Sequence, residues 1–191
     1  MRIVAGAFKG RTITTPKGSD TRPTSDRVRE AVFSSLGSFG LDLVGSSVLD
    51  LFCGSGALGL EAVSRGVAHA TLVDSSRAAT AAASDNVAAL GCENLARVVA
   101  RDAFSLVRGP VVGAPFALLF LDPPYRIERA RVHQLLEDAV ASDLLSEGAV
   151  VVYEFSAHED HEWPDGFMAI GSRTYGGTRV AYGVWRKEHD S

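Results

Sequence analysis

Residues 49–62 read LDLFCGSGALGLEA, a stretch in which a buried strand runs into a helix through a glycine-rich turn. Gly54, Gly56 and Gly59 match the pattern G-x-G-x-x-G, which is typical of nucleotide-binding loops when it joins a strand to a helix. Glycine lets the backbone turn tightly and come close to a ligand. Asp74 follows Gly54 by twenty residues, at the end of the next predicted strand, where a carboxylate can bind ribose hydroxyls. The stretch therefore predicts an α/β domain that binds a nucleotide-like molecule, in preference to a tight turn without a ligand.

Strand and helix patterns alternate on both sides of this loop. The predicted strands are 47–52, 69–74, 96–101, 116–122 and 148–155, and helices are predicted at 57–66, at 76–90 and around 132–140. Near-continuous apolar strands are typical of a parallel sheet that helices cover on both faces. Two more segments flank Gly176-Gly177 and predict an antiparallel hairpin. The predicted fold class is therefore α/β and Rossmann-like, with a mostly parallel sheet and a C-terminal antiparallel hairpin.

Four acids end or follow the predicted strands: Asp50, Asp74, Asp102 and Asp122. Ligands of such sheets bind beyond the carboxyl ends of the strands, so these acids are expected to lie around one ligand. Acids disfavour the pyrophosphate of a nicotinamide cofactor, whereas S-adenosylmethionine carries no phosphate and presents an ammonium and a sulfonium. Asp102 can accept from the adenine amine, or it can cap the helix that begins in DAFSLV. We therefore predict S-adenosylmethionine as the cofactor.

Residues 116–125 read FALLFLDPPY, and the strand they contain ends on an acid, two prolines and a tyrosine. Each proline fixes its own backbone and holds the residue before it extended. Asp122 and the carbonyl of Pro123, stiffened by Pro124, can accept the two protons of an exocyclic base amine. Tyr125 can stack on that base. The alternative is a rigid exit turn without a catalytic role.

The first thirty residues differ in charge from the rest of the chain. They hold seven basic and three acidic residues, a net charge of +4, whereas the remainder holds 12 basic and 20 acidic residues, a net charge of −8. This asymmetry is expected of a protein that binds a polyanion at one end, although a solvated surface would look the same. The predicted phosphate contacts are Lys9, Arg11, Arg22, Thr24, Arg27 and Arg29, with Arg27 and Arg29 unable to face outward together.

The same region is predicted to be a small extension of the fold. The runs RIVAGAF and RTITT flank Lys9-Gly10 and predict a β-hairpin, followed by an irregular loop and by a helix capped at Thr24 or Ser25. We therefore divide the chain into a basic extension, 1–23, expected to bind a polyanion, and a second domain, 24–191, expected to bind the methyl donor. Removal of residues 1–20 is expected to leave the second part folded.

These motifs together resemble a known family. LDLFCGSGALGLEA, Asp74 and LDPPY look like class I S-adenosylmethionine-dependent amino-methyltransferases. MRIVAGAFKGRTITTP and RPTSDRVREAVFSSL resemble the RsmD family, which methylates the N2 amine of a guanine in 16S ribosomal RNA. The resemblance implies a seven-stranded sheet, an N-terminal β-hairpin and base handling by Asp122, Pro123, Pro124 and Tyr125. The donor contacts that it implies are Asp50, Phe52, Gly54, Gly56, Asp74, Ser75, Asp102 and Ala103.

The composition and the remaining motifs narrow the other possibilities. No apolar run is long enough to cross a membrane, basic residues interrupt MRIVAGAFKGR before a secretory signal could form, and Cys53 and Cys92 lack metal-site spacing. We expect a cytoplasmic monomer without a metal, and His158 and His161 are read as loop residues. Three rival functions stay open: a DNA adenine-N6 methyltransferase, an NAD-dependent oxidoreductase, and a non-catalytic RNA-binding protein.

Overall fold

The computed structural model describes residues 1–16 and 26–187. Seven strands form one sheet, and five helices accompany it in the described part of the chain. The strands are β1 (Ser47–Leu51), β2 (His69–Asp74), β3 (Ala96–Ala100), β4 (Phe116–Leu121), β5 (Leu145–Ser156), β6 (Phe167–Tyr175) and β7 (Thr178–Trp185). The helices are α1 (Asp26–Ser38), α2 (Ala57–Ser64), α3 (Arg77–Leu90), α4 (Ala103–Leu106) and α5 (Arg129–Ala141).

The strand order is β3-β2-β1-β4-β5-β7-β6. Strands β1 to β5 pair in parallel, whereas β7 is antiparallel to both β5 and β6. Parallel neighbours need crossover connections, which the helices supply, and the two-glycine turn between β6 and β7 makes a direct return possible. The seven-stranded mixed sheet and its C-terminal antiparallel strands confirm the prediction.

The two faces of the sheet carry separate apolar cores. One core joins Leu72, Phe120 and Val152 to apolar residues of α1, α2 and α3. The other joins Leu49, Leu121 and neighbouring strand residues to α4 and α5. Because side chains alternate along a strand, each buried strand feeds both cores, and its sequence is apolar at nearly every position.

The predicted N-terminal β-hairpin is not shown by the structure. Residues 1–16, hereafter the N-terminal arm, close on themselves through one isolated antiparallel bridge between Arg2 and Thr12. The backbone N–H groups of Val4 and Ala5 donate to the carboxylate of Glu61 on α2, at 2.8 and 3.0 Å, instead of to an opposing strand. The short pairing of residues 1–3 with 11–13 is held by the N–H of Ile3 donating to the carbonyl of Arg11 and the N–H of Ile13 donating to the carbonyl of Met1, both at 3.0 Å, and Glu61 takes the place of a longer ladder beyond it.

Several expectations fall on residues 17–25, which lie outside the described residues. They include the boundary between residues 23 and 24, the helix cap at Thr24 or Ser25 and the phosphate contact of Arg22. Within the described ranges, no helix is long and apolar enough to span a bilayer.

Candidate active site

Four carboxylates project from the same face of the sheet at the carboxyl ends of its strands. The strand register aligns positions 50, 72, 120 and 152 across β2, β1, β4 and β5. Residues two positions apart on one strand share a face. Asp50, Asp74, Asp122 and Glu154 therefore lie on the face that carries α1, α2 and α3. The sequence predicted the first three as one group together with Asp102, and the structure adds Glu154.

Asp50 is the most deeply buried of these acids, with 2% of its surface exposed. Its Oδ2 accepts a hydrogen bond from the backbone N–H of Gly59 at 2.9 Å. Burial, opposed by that hydrogen bond and reinforced by the charge of Asp74, raises the pKa of Asp50 to about 7. A buried carboxylate with this pKa favours a cationic neighbour, because a positive charge would offset the cost of its ionisation.

The raised pKa of Asp50 predicts a pH-dependent stability. Since the pKa rises from 3.8 to about 7 on folding, the folded protein holds this proton more tightly than the unfolded chain. The free energy of unfolding should therefore fall as the pH rises from about 4 to 7, by at most about 4 kcal/mol from this group. Urea unfolding at several pH values should show a flatter pH dependence for Asp50→Asn than for the unchanged protein. Identical pH slopes for the two proteins would contradict the assignment.

The glycine loop has the backbone conformation that its sequence predicted. Gly54 and Gly56 have φ angles of 55° and 78°, in the left-handed region that glycine adopts without strain. Phe52 also has a positive φ, 62°, which is uncommon for a residue with a large side chain. A Cβ atom added to Gly59 would lie 2.1 Å from Leu72, so this glycine is required for α2 to pack on the sheet.

Asp74 is held in place by the same loop. Its Oδ2 accepts from the N–H of Gly54 at 3.0 Å, and its Oδ1 accepts from the N–H of Ser76 at 2.9 Å. These bonds orient the carboxylate beside the glycine loop, and the exposed Ser75 lies next to it. The arrangement fits a pair of ribose hydroxyls, which need an oriented acceptor at this position.

Asp74→Ala is therefore expected to weaken S-adenosylmethionine binding. A lost hydrogen bond to a charged group costs about 1.5–3 kcal/mol, which corresponds to about a tenfold to a hundredfold loss of affinity. Isothermal titration calorimetry measures this loss, and Asp85→Asn, an exposed acid on α3, is the matched control. Unchanged affinity in Asp74→Ala would refute the ribose contact.

Asp102 takes the capping role that the sequence left open. Its Oδ2 accepts from both the N–H and the hydroxyl of Ser105, each at 2.9 Å, and so caps α4. Ala103 is buried, and the neighbouring Phe104 packs edge-on against Phe52 with ring centroids 5.8 Å apart. Phe104 was not among the residues predicted from the sequence, although its place after a strand-end acid was a usable signal.

The DPPY segment follows β4 and brings Asp122 next to Glu154. Burial, the charge of Glu154 and the charge of Asp50 raise the pKa of Asp122 well above its ordinary value. The Pro124 carbonyl accepts from the N–H of Ile127 at 2.9 Å and so closes a turn. Tyr125 is 62% exposed, and its hydroxyl lies 3.4 Å from that of Thr178. The segment therefore places a half-buried carboxyl beside an accessible aromatic ring.

Asn86 on α3 is a second residue that the sequence analysis missed. It is 2% exposed, and its side-chain oxygen accepts from the N–H of Thr14 at 2.8 Å. Its side-chain nitrogen donates to the carbonyls of Thr14 and Ser55, both at 2.9 Å. Asn86 thus ties the N-terminal arm to the glycine loop. A polar residue on the apolar stripe of a helix was the available signal.

The residues predicted to contact RNA are not equivalent in the structure. Lys9, Arg11 and Arg27 are exposed, and Arg11 also donates to the carbonyl of Ala89. Arg29 is wholly buried, donates to the backbone carbonyl of Arg2 and forms a 2.9 Å ion pair with Asp26. A phosphate cannot reach Arg29 in this position, so its prediction as an RNA contact is corrected to a brace between α1 and the arm.

Cys53 and His161, which the sequence did not indicate as functional, lie in surroundings that explain them structurally. Burial and the charges of Asp50 and Asp74 raise the pKa of the Cys53 thiol well above its ordinary value, which disfavours a thiolate. His161 packs among the rings of Tyr153, Phe155 and Trp163, and burial, with His133 and Arg129, lowers its pKa to about 4. Within residues 1–16 and 26–187, no three acids, histidines or cysteines are grouped as metal ligands.

The sheet order, the glycine loop and the strand-end acids together define a class I methyltransferase fold. A magnesium protoporphyrin IX methyltransferase from Synechocystis, solved with bound S-adenosylmethionine, shares this fold. Its TM-score is 0.63 at 17% identity, over 84% of this chain and 79% of the other.

The chain belongs to the family described as Conserved hypothetical protein 95, whose model matches residues 1–184. It is 35% identical to the ribosomal RNA small subunit methyltransferase D of Escherichia coli, over 98% of this chain and 90% of the relative. It is 34% identical to the putative rRNA methyltransferase YlbH of Bacillus subtilis, over 95% and 97% of the two chains. The solved structure of the putative methyltransferase yhhF from Escherichia coli superposes with a TM-score of 0.82 at 31% identity, covering 97% and 98%. These relatives confirm the predicted resemblance.

Proposed function

We propose that this protein transfers a methyl group from S-adenosylmethionine to the N2 amine of a guanine in 16S ribosomal RNA. One observation carries the proposal: the sheet register places the DPPY carboxyl beside the acids of the glycine loop, on one face and at one edge. The proposed donor site and the proposed base-amine site would therefore adjoin each other. The similarity to ribosomal RNA small subunit methyltransferases D supports the choice of RNA and of the small subunit.

The residues present fit S-adenosylmethionine. Asp50 is buried with a pKa of about 7, and within the described chain no basic side chain pairs with it, so a cation would complete its surroundings. Asp74 is oriented for ribose hydroxyls, and Asp102 with Ala103 and Phe104 provides an acceptor and apolar surface for adenine. Phe52 and Gly56, in the same glycine loop, are the remaining proposed donor contacts there. A pyrophosphate would meet two acids here, which argues against a nicotinamide cofactor.

When bound, the donor supplies a methyl group from its sulfonium, and the rest of the donor leaves as a neutral thioether. The chain's own residues act on the acceptor. A base amine is a poor nucleophile because its lone pair is delocalised into the ring. Asp122 accepts one amine proton in a hydrogen bond, and the Pro123 carbonyl accepts the other, so the lone pair can point at the methyl. Tyr125 stacks on the base and fixes its plane.

Catalysis of this kind depends on position and charge. With the donor bound, the amine nitrogen would take the methyl group as the S–C bond breaks. The electrons of that bond would stay on sulfur, and the amine would then release one proton to water. Asp122 needs its ionised form to accept the amine proton strongly. Since its carboxyl pKa is raised, methyl transfer should speed up as the pH rises through that pKa.

The arm is the proposed first contact for RNA. Lys9, Arg11 and Arg27 are exposed on the arm and on α1, and they would bind phosphates without reading sequence. Arg22 and Thr24 lie outside the described residues and remain predicted RNA contacts. The protein would then act as a monomer in the cytoplasm, where ribosomal subunits are its substrate.

Mapping of methylated guanines tests the proposal. Small subunits from cells that lack this gene are incubated with purified protein and labelled S-adenosylmethionine. Label in one guanine of 16S ribosomal RNA is the expected result, with naked 16S RNA and adenine-containing duplex DNA as parallel substrates. Label only in DNA adenine would favour the DNA methyltransferase alternative. Donor binding without transfer to any of them would favour a non-catalytic RNA-binding protein.

A further inference from the structure

A second basic segment lies at the opposite end of the chain from the arm. Residues 167–187, which comprise β6, β7, their turn and the two residues that follow β7, hold four basic residues and no acidic one. Those residues are Arg173, Arg179, Arg186 and Lys187. Outside the first thirty residues the chain carries a net charge of −8, so this hairpin stands out against an acidic body. Its charge needs an explanation that the arm does not supply.

The hairpin faces α1 across a shallow groove. Arg173 and Tyr175 of β6 form one wall, and Ser34, Ser38 and neighbouring residues of α1 form the other, around a volume of about 280 Å³. Arg173 is exposed, whereas Tyr175 is half-buried and packs against the core. The Ser38 hydroxyl donates to the carbonyl of Ser34 at 3.0 Å, so the groove offers the Arg173 guanidinium and the exposed Ser34 hydroxyl to a ligand that runs along it.

This groove lies on the same face of the sheet as the candidate active site. The register pairs Tyr175 with Thr178, and it pairs Thr178 with Ser156 on β5, two residues beyond Glu154. The hydroxyl of Thr178 is 3.4 Å from that of Tyr125, the ring proposed to hold the target base. The hairpin turn is thus in direct contact with the base-binding end of the DPPY segment.

We propose that the groove between α1 and β6 binds the sugar-phosphate backbone of the RNA strand beside the target guanine. This inference rests on the proposed function. Arg173 would bind a phosphate, which suits the planar, permanently charged guanidinium, and the exposed Ser34 hydroxyl would donate to a phosphate or ribose oxygen. With the arm on one side and this groove on the other, the strand would be held on both sides of the base placed against Tyr125. Charge complementarity favours RNA over a protein partner at this surface.

Arg173→Ala tests the proposal in the full-length protein. The variant should bind a 16S ribosomal RNA fragment about threefold to tenfold more weakly, and the slope of log affinity against log salt should flatten by about 0.7–0.9, as expected for one lost phosphate contact. Arg97→Ala is the matched control, because Arg97 is exposed on β3 at the opposite edge of the sheet and its loss changes the net charge equally. The control should keep the RNA affinity and the salt slope of the unchanged protein.

Further measurements separate the groove proposal from a loss of folding and from a failure of the proposed function. Arg173→Lys keeps the positive charge and should keep the salt slope of the unchanged protein. If substitution at this position instead unfolded the protein, the salt slope would change in this variant as well. Affinity for S-adenosylmethionine should be the same in all variants, and the KM for RNA should rise in Arg173→Ala while kcat changes little. Equal RNA affinities and salt slopes in Arg173→Ala and Arg97→Ala would overturn the groove proposal alone. Absence of RNA methylation by the unchanged protein would instead overturn the proposed function.

Discussion

Asp122→Ala should lower kcat for methyl transfer by about a hundredfold or more, which corresponds to about 2.7 kcal/mol or more in the barrier. The carboxylate is proposed to act on the amine of the base, and none of the described hydrogen bonds joins it to the glycine loop. S-adenosylmethionine affinity should therefore stay within about twofold of that of the unchanged protein. Single-turnover kinetics on the small-subunit substrate measures the first quantity, and calorimetry measures the second.

Two controls sharpen this result. Glu137→Gln removes an exposed acid from α5 on the other face of the sheet and should leave kcat unchanged. Asp122→Asn keeps an acceptor oxygen without the charge, so it should retain more activity than the alanine variant and lose the rise of rate with pH. A loss of kcat smaller than about tenfold in Asp122→Ala would mean that the carboxylate does not activate the amine.

Removal of the N-terminal arm is expected to unfold much of the protein. Ile3 and Ile13 are each 1% exposed, and burial of an isoleucine contributes about 1.5–3 kcal/mol. Deletion would also leave buried Glu61 and Asn86 without their arm partners, at about 1–3 kcal/mol for each group. Together these losses are comparable to the whole stability of a domain, about 5–15 kcal/mol. Residue Gly6 shows how close the docking is, since a Cβ there would overlap the carbonyl of Ser64.

This expectation reverses the sequence-based one, in which the rest of the chain stayed folded without residues 1–20. Circular dichroism and thermal unfolding of a protein lacking residues 1–16 measure the outcome, and a cooperative transition at the original temperature would contradict it. RNA binding is better tested with Lys9→Ala/Arg11→Ala, which keeps the buried anchors. That variant should stay folded, and its slope of log affinity against log salt should flatten by about 1.4–1.8 if both side chains contact phosphates.

The local signals in the sequence were sufficient for the elements of the sheet. β1 and β4 are short and apolar, Gly91 ends α3 in a left-handed conformation, and Gly176 opens the last turn. Each of these signals acts between residues close in the chain, so no knowledge of distant neighbours was needed. The parallel order followed from strand and helix alternation, and with it the grouping of the strand-end acids.

The structure of the N-terminal arm could not be predicted from such local signals. Alternation in RIVAGAF predicts a strand, because alternating residues usually pair with a second strand. In the structure the N–H groups of Val4 and Ala5 are satisfied by Glu61, which is 56 or more positions away in the chain. A buried carboxylate on a helix gives no local sign of which backbone it will bind. The docking of residues 4 and 5 on α2, in place of a longer hairpin ladder, was therefore decided by packing.

The sequence by itself determined the glycine loop, the DPPY segment and the charge asymmetry, because these depend on residue type and short spacing. The tertiary structure decided which charges are available to a ligand: Arg29 is buried against Asp26, whereas Arg173 is exposed beside α1. It also decided that Glu154 stands beside Asp122, since that pairing depends on the register of two strands about thirty residues apart. Proximity across the sheet, which no local pattern encodes, completed the candidate site.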